Sequence, residues 1–202
     1  FRQPGHEEKE TIHTGSLAAA HGGFTSVFAM PNVVPSPDGK EVMEEYLKLI
    51  EEESVVHTYP YGTITKKEQG KELSDLSGMS QLGVHWFSDD GVGMNDQNLL
   101  REAFEKGRQE NFIIACHTED LKYRPQGGSV HDSKVVTEKG WIGISDACES
   151  EPLKNDLQTA LAVNGKYHAC HISSHLSIEA LREAKQKGGD VSAEVTVHHL
   201  LL

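Results

Sequence analysis

IIACHTED at 113–120 and YHACHISS at 167–174 are two apolar, strand-like runs that each reach Ala-Cys-His and pass at once into polar residues. The repetition asks what brings two such ends together. Outward from them the chain alternates between two kinds of segment. Runs rich in β-branched and aromatic residues predict strands at 25–30, 55–62, 84–90, 112–118, 166–173 and 191–199. Helical patterns predict helices at 8–20, 39–53, 95–110, 153–163 and 177–187, with Gly165 and Gly188 as C-terminal stops and a weaker pattern at 73–82. Such alternation makes βαβ units and a parallel sheet, either an open doubly wound sheet or a (β/α)8 barrel. No Gly-x-Gly-x-x-Gly follows any strand, so the dinucleotide form of the open sheet lacks its phosphate-binding turn. The longest irregular stretch, 121–143, carries Pro125, Gly127 and Gly128 and follows a strand end directly, where a barrel builds its active-site loops.

The 202 residues suffice for one sizeable core, and 37% hydrophobic with 25% charged residues is an ordinary globular balance. A formal net charge of -12 gives no electrostatic reason to expect nucleic acid or an anionic membrane as partner. No run approaches the roughly 18 apolar residues of a membrane span, and no signal peptide is read at the start. Cys116, Cys148 and Cys170 have no Cys-x-x-Cys spacing, which speaks for a reducing compartment and a cytoplasmic location.

The twelve histidines are the odd feature of the composition. On the C-terminal side of the predicted strands stand Asn32, Asp89 and Asp90, His117, His171, and His198 with His199. A parallel barrel crowds all these ends onto one rim, and converging Asp and His side chains form a ligand set that suits zinc. A lone histidine there is ordinarily a hydrogen-bonded structural residue, and Asp-Asp-Gly is a common turn; two histidines in the same setting beside it carry the metal reading. Strand alternation points Ala115 and His117 one way and Cys116 the other, and predicts the same for Ala169 and His171 against Cys170. Both cysteines are therefore expected in the helix-facing core. His13, His21, His57, His85, His131, His168 and His175 are read as structural or solvated. Arg2 and Asn32 offer a planar fork and an amide suited to a substrate carboxylate.

FRQPG at 1–5, ETIHTGSLAAAHGGFTSV, MPNVVP at 30–35, FSDDG at 87–91, ACHTED, CHIS and SAEVTVHHLLL follow one another in an order that closely resembles the bacterial dihydroorotases of the amidohydrolase superfamily. The resemblance is to the type that uses an aspartate where relatives use a carboxylated lysine, and it covers essentially the whole chain. It implies a zinc-dependent (β/α)8 barrel that interconverts dihydroorotate and N-carbamoyl-L-aspartate in pyrimidine synthesis, with one or two zinc ions and a metal-activated water opening the ring amide. Asp90 then looks like the bridging carboxylate ligand and His117 and His171 like imidazole ligands, while Arg2 and Asn32 look like the groups holding the substrate carboxylate.

The chain departs from that pattern at both ends. The family's His-x-His precedes Phe-Arg, and its proton-shuttling aspartate lies on an eighth strand, expected beyond Leu202. The expectation is one truncated barrel domain over 1–202 carrying strands two to seven of eight, with two unpaired edge strands. Gln3 stands where Glu is usual, and Val197 where Pro usually precedes the paired histidines. Partners expected are the small-molecule substrate, with a second copy of the chain and aspartate transcarbamoylase left open. The alternatives are a non-catalytic dihydroorotase-like partner of that transcarbamoylase, or a related allantoinase or dihydropyrimidinase. Against the latter, VHWFSDD contains no lysine to carboxylate.

Overall fold

The computed structural model describes residues 1–91 and 93–201. Leu202, the last leucine of the SAEVTVHHLLL stretch and the last residue of the expected domain, lies outside the described residues. Strands β1 (Ser26–Ala29) and β2 (His57–Pro60) pair in parallel. Strands β3 (Trp86–Ser88), β4 (Ile113–Cys116), β7 (Tyr167–Ala169) and β8 (Val191–Ala193) form a four-stranded parallel sheet in that order. Gly62 joins the two: its N–H donates to the Trp86 carbonyl at 3.0 Å and its carbonyl accepts from Ser88 N–H at 2.9 Å. A Cβ at Gly62 would stand 2.7 Å from the Phe87 ring, so only glycine allows this approach. The result is one continuous parallel arc, β1-β2-β3-β4-β7-β8, part of a (β/α)8 barrel. Among the described residues β1 and β8 are each paired on one side only, as expected of an incomplete barrel.

Helices pack on the convex side of the arc. They are α1 (Ile12–His21), α2 (Lys40–Glu53), α3 (Leu76–Gln81), α4 (Gln97–Glu110), α5 (Lys134–Glu138), α6 (Ala147–Val163), α7 (His175–Gln186) and α8 (Val197–Leu201), of which α5 and α8 are single-turn pieces outside that layer. The core lies between sheet and helices: Phe87, Ile114, Cys116, Tyr167 and Ala169 from the strands meet Leu100, Phe104, Leu153 and Leu157 from α4 and α6. Side-chain caps fix the helix starts. Asp96 accepts from the Asn98 and Leu99 amides, Asp75 from Gly78, and Ser174 from Leu176. Among the described residues no helix is long and apolar enough to cross a membrane.

Three expectations are corrected. α6 starts at Ala147, six residues before the predicted 153, because Pro152 lies inside the helix and does not open it. Proline removes the N–H that would bond the Cys148 carbonyl one turn back, and that carbonyl accepts the Asp120 amide instead, at 2.9 Å. β8 ends at Ala193 instead of continuing to 199; the Thr196 hydroxyl accepts the His199 amide at 3.3 Å and starts α8. The stretch 121–143 is not irregular throughout: it holds a 3-10 turn at Leu121–Tyr123, α5, and a short parallel pair, β5 (Val130–His131) with β6 (Gly143–Ile144).

The concave side of the arc is aromatic. Phe28 and Trp86 meet edge-on with ring centroids 4.6 Å apart, and Tyr59 lies 5.3 Å from Phe28 and 5.6 Å from Trp86. Phe28 is 48% exposed on this side.

Candidate active site

At the C-terminal ends of the strands the backbone turns away and side chains converge, as in any parallel barrel. His117 follows β4 with Ala115 on the same face, whereas Cys116 lies in the helix-side core as expected. At β7 the expected parity is reversed. Tyr167 and Ala169 face the helices, while Cys170 packs with Tyr61, Ala115, Met30 and Trp86 on the concave side. Continued alternation would throw His171 toward the helices. Its backbone instead adopts φ 37°, a left-handed conformation that a non-glycine residue holds only when its surroundings impose it. That bend returns the ring to its partner: His117 Nδ1 and His171 Nε2 stand 2.9 Å apart, with the rings edge to face.

The other nitrogen of His117 has its own neighbour. Its Nε2 lies 3.5 Å from Glu119 Oε2, and Arg124 Nη1 holds the second oxygen of Glu119 at 2.6 Å. A carboxylate on Nε2 favours the tautomer that leaves the Nδ1 lone pair facing His171. The pair opens on a cleft of about 440 Å³ whose walls include Thr118, His131, Asp146, Glu149 and His199. Glu149 on α6 accepts the Ser173 and Ser174 amides, each at 3.0 Å, and so closes one side of the cleft at the start of α7. Thr118 Oγ1 is buried beside the pair with no hydrogen-bond partner among the described residues. Two nitrogens ligating one tetrahedral zinc stand about 3.3 Å apart, from bond lengths of about 2.0–2.1 Å. The imidazole pair is near that separation, and its donor chemistry fits a divalent cation.

A second group forms around β3. Asp89 is buried and structural: its Oδ1 accepts the Ile64 and Thr65 amides at 2.8 and 3.0 Å, and its other oxygen takes the Thr65 hydroxyl. Burial raises its pKa against those hydrogen bonds. Asp90, next in the chain, turns the other way and accepts the amide of Asn32 from the end of β1. Its own N–H donates to Glu68 Oε1 at 3.0 Å. Burial, assisted by the Asp89 and Asp90 charges, pushes the Glu68 carboxyl up to about 7.

The expected site residues thus fall into two sets. His117 is joined to His171, and Asn32 to Asp90, but the two pairs do not form one ligand group. Among the described residues the ligand atoms that lie within 4.8 Å of one another in a group of three are those of His168, Cys170 and Glu194. Arg2 is exposed, its carbonyl accepting the His6 amide at 2.9 Å, and it does not line the cleft. Sequence reading left out Glu119 and Glu68, and read His131, which lines the cleft, as structural or solvated. Glu119 was visible two residues after His117 in ACHTED, whereas Glu68 reaches Asp90 through a left-handed turn at Lys67 and Glu68 that no pattern announces.

Comparison with known proteins adds to this geometry. A family model described as dihydro-orotase-like matches residues 1–177. The dihydroorotase of Bacillus licheniformis is 46% identical over 100% of this chain and 47% of its own length. That of Fusobacterium nucleatum is 44% identical over 100% of the chain and 47% of its own length. The chain therefore spans about half the length of the curated relatives it matches. Among solved structures, a D-hydantoinase superposes with a TM-score of 0.72 at 19% identity, covering 96% of this chain and 44% of its own. The L-hydantoinase of Arthrobacter aurescens gives 0.70 at 19% identity, with 92% and 42% covered. These likenesses at low identity concern the barrel fold alone. With the model matched over most of its length, and its own strand ends carrying the paired histidines and the Asp-Asp-Gly turn, the chain belongs to the dihydro-orotase-like family.

Proposed function

We propose that this chain carries metal- and substrate-binding residues of a zinc-dependent dihydroorotase, which opens and closes the cyclic amide of L-dihydroorotate to give N-carbamoyl-L-aspartate. The observation that carries the reading is the pairing of His117 Nδ1 with His171 Nε2 at 2.9 Å in an open cleft. A cleft of about 440 Å³ suits a small cyclic amide. His117 and His171 would hold the metal, with Asp90 as a carboxylate ligand. The metal, when bound, supplies Lewis-acid polarisation and an activated water.

The remaining work falls to the protein. Glu119, anchored by Arg124, fixes the His117 tautomer. Asn32 offers an amide N–H, which the Asp90 carboxylate accepts and which is of a kind suited to a substrate carboxylate. Three free cysteines, all buried, agree with a reducing cytoplasmic setting.

The test is ring opening of L-dihydroorotate, beside allantoin and dihydrouracil, by the whole protein that carries this chain, with zinc supplied and then chelated. Zinc-dependent opening of dihydroorotate alone is the expected result. Opening of either other ring in its place moves the substrate class, and no opening by a folded protein moves the reading to a non-catalytic partner.

A further inference from the structure

We infer that His168, Cys170 and Glu194 form a separate thiolate-containing divalent-metal site on the concave face of the sheet, outside the His117–His171 cleft. Two strands dictate the arrangement. Alternation along β7 sends His168 and Cys170 to the concave face, and the parallel register with β8 sets Ser192 opposite His168. One pleat further on, Glu194 stands beside Cys170, its backbone tied to β7 by bonds to Ala169 at 3.1 Å and Ile172 at 2.9 Å. The ligand atoms of the three side chains lie within 4.8 Å of one another. Imidazole, thiolate and carboxylate are each zinc ligands, and a thiolate favours zinc over the hard cations magnesium and calcium.

Two further observations bear on the same residues. His168 Nδ1 is 2.8 Å from the Ser192 hydroxyl, which leaves Nε2 facing Glu194 Oε2 at 3.6 Å. A ligating histidine needs its second nitrogen held in this way. His168, Ser192 and Glu194 also share one concave surface with Phe28, Tyr61 and Trp86, and none of them lines the other cleft. On binding, the Cys170 S–H bond breaks, the sulfur electron pair goes to the metal and one proton leaves to solvent, with no change of oxidation state.

Cobalt(II) titration of the whole protein tests the site, because sulfur bound to cobalt gives a near-ultraviolet charge-transfer band that nitrogen and oxygen ligands do not. The expected result is such a band, lost in Cys170→Ser, kept in Cys148→Ser and in the His117→Ala/His171→Ala double variant. Ser192→Ala should keep the band and weaken cobalt binding about 10- to 100-fold. If Cys170→Ser fails to fold, His168→Ala serves in its place and should weaken binding by at least as much. No band in the folded protein, or a band that survives loss of Cys170, overturns the site and leaves His168 and Glu194 as a plain ion pair.

Discussion

Asn32 donates its side-chain amide to the Asp90 carboxylate, so the end of β1 is tied to the end of β3 across the intervening β2. The contact joins a residue expected at the substrate to one expected at the metal. A hydrogen bond to a charged group contributes about 1.5–3 kcal/mol, and about 1.4 kcal/mol is tenfold in an equilibrium. Asn32→Ala should therefore lower kcat/KM about 10- to 100-fold in the whole protein while bound zinc stays at the wild-type level. Asn32→Asp sets a second negative charge against Asp90 and should alter zinc content as well. Steady-state kinetics with metal analysis separates these outcomes, and full activity in Asn32→Ala would remove Asn32 from the site.

How legible this was follows from which patterns are local. The β–α alternation, the all-parallel arc and the placement of His117 come from periods of two and 3.6 residues, which a sequence displays directly. His171 was named for its position after Ala-Cys, but the route by which it reaches His117 was misread. Alternation holds through Cys170, which therefore faces the concave side, and a left-handed bend at His171 then breaks it. The helix predicted from 153 begins at Ala147 with Pro152 inside it, and the tertiary bond from the Asp120 amide takes the Cys148 carbonyl that the proline leaves free. Glu68 was out of reach for the same reason, since its link to Asp90 spans 22 residues and depends on a turn.

The His117 tautomer rests on one carboxylate. Glu119→Gln keeps the shape and the contact with Arg124 but removes the charge behind Nε2. Loss of such an outer partner typically costs 10- to 100-fold in metal affinity. Competition with a chromogenic zinc chelator should show a drop of that size, with Arg124→Ala giving a smaller drop in the same direction. Unchanged zinc affinity in Glu119→Gln would mean that His117 is oriented by packing alone.

Two strand edges without a partner among the described residues, together with an exposed aromatic face, predict the solution behaviour of the 202-residue chain by itself. Unpaired N–H and C=O groups on β1 and β8 are templates for pairing with another copy. Phe28, at 48% exposure, adds apolar area beside the β1 edge. Sedimentation should show concentration-dependent association, reduced by a charge on β1 such as Val27→Lys combined with Phe28→Ser. Monomeric behaviour of the unsubstituted chain at all concentrations would show that the edges are blunted by other means.

Asp156 on α6 gives the fold its own pH dependence. It is 3% exposed, and Gln97 Nε2 and Tyr167 Oη donate to its oxygens at 3.1 and 3.2 Å. Burial outweighs those bonds and pushes the carboxyl up to about 7. An unfolded aspartate titrates near about 3.9, so the native state holds a proton that the unfolded state releases. The stabilisation from that proton is complete below about pH 4 and is lost as pH rises to about 7, by at most about 1.4 kcal/mol per pH unit. Asp156→Asn keeps the hydrogen-bonding shape with nothing to ionise. Urea unfolding at pH 5 and pH 8 should therefore show the variant gaining stability relative to wild type at the higher pH, with Gln97 and Tyr167 unchanged. An equal difference between the two proteins at both pH values would mean that Asp156 is ionised in the folded chain throughout, with its charge carried by the bonds from Gln97 and Tyr167.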